Sequence, residues 1–103
     1  FLEDVASGLR KEAGEAAKRF IELVEKGTAT KATARAIREM AVRFGNLNFM
    51  GDKEMQKALL AVAEKNIDGV VDSSTEDARK VVSLSTQPVE EILAEYKRAL
   101  VLD

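Results

Sequence analysis

From Val5 to Val24 the apolar residues return every three or four positions, at Val5, Leu9, Ala13, Ala16, Phe20, Leu23 and Val24. That spacing makes one face of an α-helix, and a stripe of this length must be covered by other elements. It predicts a long first helix over 1–27, with Gly27 supplying the left-handed residue that ends it. Between the apolar positions, charges fall at helical neighbours: Lys11 with Glu15, Glu15 with Arg19, Lys18 with Glu22, and Glu22 with Lys26. Each such exposed pair contributes about 0.2 to 0.5 kcal/mol. Gly14 interrupts the pattern at a cost of up to about 1 kcal/mol relative to Ala, and is read either as a close helix contact or as a position without consequence.

The same period recurs along the chain. Thr28 and Thr30 offer caps for a second helix over Lys31–Phe44, with Gly45 as its stop. At about 100° per residue, Thr33, Ile37, Met40, Ala41 and Phe44 share one side, while Lys31, Arg35 and Arg38 gather around Val42 on the other. The segment 46–51, NLNFMG, reads as a loop leading to Asp52 as the next cap. Its Leu47, Phe49 and Met50 are read first as residues that fold back onto the core, and alternatively as a docking loop for a partner. The third helix carries Met55, Ala58, Leu59, Val62, Ala63 and Ile67, and Asp68 with Gly69 is expected to end it.

Ser73 with Glu76 and Ser74 with Asp77 follow the Ser-x-x-acid capping pattern ahead of Ala78, Val81, Val82 and Leu84, which predicts a short fourth helix. Pro88 then suits the first turn of a fifth, with Val89, Ile92, Leu93, Tyr96 and Leu100 as its stripe. No segment alternates with period two for long enough to argue for a sheet; Val70 and Val71 allow a brief extended piece. The fold expected is all-α, a compact bundle of about five helices forming one domain over 1–103, with the three longest helices giving most of the buried area. The first residue is Phe1, so an N-terminal portion is expected to be missing.

Composition narrows function by exclusion. With no His and no Cys in 103 residues, imidazole catalysis, thiol chemistry and His/Cys metal sites are unavailable. The acidic pairs Glu3–Asp4, Glu12–Glu15, Glu22–Glu25 and Glu90–Glu91 lie on polar helix faces or in first turns, where nothing separates their pKa values as acid–base catalysis requires. Ser73, Ser74, Ser83 and Ser85 near Lys80 read as caps and helix-end residues. The six glycines form no phosphate-cradling loop. The expectation is therefore a protein that is not an enzyme, with no catalytic residues, no metal and no cofactor. The cytoplasm is the expected location, since a chain without Cys is compatible with a reducing compartment. Helices that mix Lys and Glu could also coat a lipid or polymer surface, but the narrow, Ala-rich apolar faces rank that lower and no membrane partner is expected.

Charge is unevenly placed. The net charge is −2, yet residues 28–51 hold four basic groups against one acid, Glu39. A patch of Lys31, Arg35 and Arg38, with Arg43 near the helix end, suits sequence-independent contact with a nucleic-acid backbone. Few aromatic residues remain outside the expected core to stack on bases, so base-specific recognition is not expected. The competing readings are a solvated face and a helical module that binds only proteins, in which Leu47, Phe49 and Met50 meet the partner.

Residues 30–46, TKATARAIREMAVRFGN, run an Arg-bearing helix into a Phe-Gly-Asn turn. In this the chain resembles the small subunits of multi-subunit CRISPR effector complexes, of the archaeal type I form. The resemblance implies a non-catalytic helical subunit in an antiviral defence assembly. Such a subunit stacks with copies of itself within a larger protein complex and holds nucleic acid through basic residues. The matching positions here are Lys31, Arg35, Arg38 and Arg43.

Overall fold

The computed structural model describes residues 2–67 and 74–102, and they form five helices: α1 (Leu2–Glu25), α2 (Lys31–Leu47), α3 (Lys53–Lys65), α4 (Glu76–Ser85) and α5 (Glu90–Leu102). No strand occurs among the described residues, and the all-α bundle expected from periodicity is the fold observed. The first four helices close a ring in which α1 packs on α2, α2 on α3, α3 on α4, and α4 back on α1. Ion pairs give their directions. Arg43 late in α2 meets Glu12 in the first half of α1, Lys65 ending α3 meets Asp77 beginning α4, and Arg79 near the start of α4 meets Glu25 ending α1. Neighbours are thus antiparallel, as short connections require.

The ring encloses Phe20, Ile37, Phe44, Met55, Leu59, Val62, Val81 and Leu84, with Ala13, Ala17, Ala58 and Ala78 where helices approach closely. The α1–α4 seam is the most extensive contact, and Gly14 explains why. A Cβ there would overlap the Ser85 side chain, so α4 can approach α1 only because residue 14 has none. The close-contact reading of Gly14 is the one observed. Of the four charge pairs expected along α1, only Lys26–Glu22 closes among the described residues, at 2.9 Å.

Below the seam lies a lock that the sequence pattern does not announce. Arg10, 4% exposed, donates from Nε and Nη2 to the two carboxylate oxygens of Asp52 at 2.6 and 2.8 Å, and from Nη1 to the Leu84 carbonyl at 3.0 Å. The hydrogen bond to Asp52 raises the Arg10 pKa above its ordinary value, outweighing the burial that would lower it. One side chain therefore joins α1, the cap of α3 and the end of α4. Asp52 is the expected cap, accepting from the Met55 amide, and Asn48 braces it by accepting from the Asp52 amide and donating to its carbonyl.

Other boundaries differ from the sequence reading. Helix α2 runs on through Gly45 to Leu47 and is capped by Asn48 (φ −84°), with a left-handed residue further on at Gly51 (φ 73°); at Gly27 (φ 70°) the expected stop is in place. Helix α3 ends at Lys65, and the buried Asn66 side chain donates to the Val62 carbonyl at 2.7 Å. The anticipated Asp68–Gly69 stop and the Val70–Val71 extended piece lie outside the described residues. Thr75 takes the cap position of α4. Length also misleads about burial. The short α4 lines the core, whereas the longer α5 rests chiefly against α1 through a separate cluster of Ala6, Val89 and Leu93, flanked by Leu2, Met50 and Ile92. Tyr96, expected in the core, is only half-buried and meets Phe49 edge-on, with ring centroids 5.9 Å apart.

Candidate functional site

The second helix places its two faces as its period requires. Thr33, Ala34, Ile37, Met40, Ala41 and Phe44 are buried, and Lys31, Arg35, Val42 and Arg43 are exposed. On the outer side, α2 and α3 leave an open groove of about 1060 Å³. Its floor is aliphatic: Val42 is 63% exposed, Leu47 44%, Leu60 45% and Ile67 51%. Arg35, Arg38 and Arg43 stand along the α2 side, accompanied by Glu39, and Glu64 lies on the α3 side.

The four expected cations do not behave alike. Arg43 Nε is 2.5 Å from Glu12 Oε1, so its charge is shared with a carboxylate at the α1–α2 seam. No carboxylate among the described residues forms an ion pair with Lys31, Arg35 or Arg38. Lys31 is the first residue of α2, where a positive charge opposes the helix dipole. Helix stability therefore does not account for its presence. Arg38 is half-buried, and its Nε is sealed from solvent with no acceptor among the described residues. An unsatisfied buried donor of this kind costs about 1 to 3 kcal/mol.

Leu47, Phe49 and Met50 do not form one surface. Leu47 is the last residue of α2 and faces the groove; Phe49, 56% exposed, leans on Tyr96; Met50 is half-buried on the α5 cluster. The expectation that all three fold back onto the core fails for Leu47 and Phe49. Leu47 belongs to a helix whose buried side is already filled by Phe44, and the core ring closes without Phe49. Sequence reasoning missed Leu60 as a site residue and placed Ile67 in the apolar stripe of α3. The available signal was that Leu60 lies off the stripe Met55, Ala58, Leu59, Val62, just as Val42 lies off that of α2.

The acidic pairs singled out in the sequence stand at the surface: Glu3, Asp4, Glu15, Glu22, Glu25, Glu90 and Glu91 are exposed and Glu12 is half-buried. Among the described residues no three acidic side chains gather in a way that could hold a metal ion, and no helix is long and apolar enough to cross a membrane. Ser85 Oγ donates to the Val82 carbonyl at 2.6 Å, as a helix-end serine does. Comparison of the chain with known protein families, with curated proteins and with solved structures finds no match.

Proposed function

We propose that this chain is a non-catalytic helical assembly module that binds a protein partner through the outer face of α2 and α3. One observation carries the reading: Val42 and Leu47 of α2, Leu60 of α3 and Ile67 just beyond the end of α3 stand exposed in one groove. Four exposed aliphatic side chains gathered in one groove favour an interaction site more than single exposed leucines do. Val42, Leu60 and Ile67 belong to neither buried cluster, while Leu47 also borders the crevice of Val5, Leu9, Met50 and Ile92. The test is to place a photo-crosslinking residue at Val42, and at the exposed Lys80 of α4 as control, in cells that express the chain. A defined protein adduct at position 42 and none at position 80 is expected. Absence of an adduct at 42, or equal adducts at both, overturns the reading.

A second reading, that the same helix holds a nucleic-acid backbone as the CRISPR small-subunit resemblance implies, is favoured by Lys31, Arg35 and Arg38 having no ion-pair partner among the described residues. Three cations make a weak, salt-sensitive contact, strengthened where several copies line one strand. Arg35→Glu with Arg38→Glu, assayed on single- and double-stranded DNA at two salt concentrations, decides it. Unchanged binding at both removes the nucleic-acid role.

A further inference from the structure

We infer that the occupant of the α2–α3 groove is an amphipathic helix carrying carboxylates along the flank that faces α2; this rests on the assembly reading above and names its partner's chemistry. Two antiparallel helices leave a furrow into which a third helix packs ridge into groove. The floor of Val42, Leu47, Leu60 and Ile67 calls for apolar side chains on the incoming helix at steps of three and four. Charge then favours one flank. On the α2 side Arg35 and Arg38 form no ion pair among the described residues and outnumber Glu39 beside them, while on the α3 side of the groove stands Glu64, so acids are better placed toward α2.

Arg38 supplies an independent argument. Its guanidinium lies with Nε sealed and without an acceptor among the described residues. Lifting it onto an incoming carboxylate lets Nε and one terminal nitrogen donate side by side, the geometry that guanidinium and carboxylate favour. A nucleic-acid strand could engage the same arginines, but it would hold four aliphatic side chains beneath a polyanion with nothing apolar to meet them. The chain's own α5 carries Glu90, Glu91 and Glu95, yet its Leu93 and the preceding Val89 are already buried in the cluster with Ala6 of α1, so a second copy's α5 does not fit without leaving its own body.

The experiment uses two synthetic helical peptides of about 18 residues, five turns, with identical Leu/Ala stripes and either Glu or Lys at the flanking positions. Each is titrated into the isotope-labelled full chain, with affinity and amide shifts read together. The Glu peptide should bind at least about tenfold more tightly than the Lys peptide, with shifts centred on Val42, Leu60 and Ile67. Arg35→Glu with Arg38→Glu should reverse that preference, and Val42→Asp should weaken both peptides. Equal binding of the two peptides at the groove, alongside an adduct at position 42 in cells, overturns the acidic-flank inference and leaves the assembly reading standing. Absence of binding by either peptide overturns the inference as well, and absence of the adduct overturns the assembly reading beneath it. Concentration-dependent self-association lost in Val42→Asp assigns the groove to a second copy, and tighter binding of a DNA oligonucleotide at the same amides assigns it to nucleic acid. Either result overturns the proposal.

Discussion

The α1–α4 seam and the outer α2–α3 face are built from amphipathic helices of the same period, and side-chain size separates their fates. At the seam, Ala13, Gly14 and Ala17 are small enough for α4 to settle onto α1 and bury Ala78, Val81 and Leu84. On the outer face, Val42 and Leu60 project beyond the buried stripes of their own helices, Ile67 stands exposed just past α3, and no third helix among the described residues covers them. The bundle is therefore finished on one side and unfinished on the other. Periodicity alone does not distinguish these outcomes; the residues lying off the stripe do.

The largest effect expected on the finished side comes from Arg10. Replacement by Met leaves the Asp52 carboxylate buried without its partner, and breaking a buried pair in this way costs about 3 to 5 kcal/mol. In a domain of this size that lowers the melting temperature by more than about 10 °C, which thermal unfolding by circular dichroism measures. If Arg10→Met is nearly silent, the lock between α1, α3 and α4 is not what holds the seam.

Gly14→Ala follows. The added methyl overlaps the Ser85 side chain, and overpacking of this kind costs about 1 to 3 kcal/mol, of which the better helix propensity of Ala offsets up to about 1 kcal/mol. Ser85→Gly should restore much of the loss in the double variant, because it removes the Cβ that the new methyl strikes. Rescue separates steric closure of the seam from a simple difference in helix propensity, which Ser85→Gly could only worsen.

The helix count, the buried faces of α2 to α4 and the caps at Thr30 and Asp52 were legible because each follows from local period or local hydrogen bonding; on α1 the buried face is rotated from the expected stripe, with Val5, Leu9, Ala16, Leu23 and Val24 half-buried and Ala6, Arg10, Gly14, Ala17 and Ile21 buried. The cationic face around Val42 was legible for the same reason. Arg10 was not, since its partners are 42 and 74 residues away in sequence and nothing local distinguishes it from Lys11 or Arg19. The groove was only half legible: Val42 could be placed among its cations, but its meeting with Leu60 and Ile67 depends on how α3 rotates against α2. Gly45 misled because a glycine after a helical run signals an end, yet here it stays within the helix, which is capped by Asn48.

Tyr96 tests the attachment of α5, which belongs to neither side of the comparison. Tyr96→Ala removes an edge-to-face pair with the exposed Phe49 ring, and such a pair contributes about 0.5 to 1.5 kcal/mol. The loss should appear first as faster amide exchange in α5 while α1 to α4 keep their protection, since the ring closes without it. Equal acceleration across all five helices would show that α5 is part of the cooperative core.

The smallest stability effect is expected where the functional effect is largest. Leu60→Ser with Ile67→Ser removes exposed aliphatic surface from the unfinished side while leaving position 42 for the photo-crosslinking residue, and surface substitutions of this kind usually change stability by less than about 0.5 kcal/mol. Because neither side chain belongs to the core cluster, the melting temperature should stay within a few degrees while capture of a partner at position 42 is lost. A large fall in stability would mean that these residues hold α2 against α3, and the outer face would then be part of the finished structure. Retained stability with lost capture is the signature of a surface that the fold itself does not need.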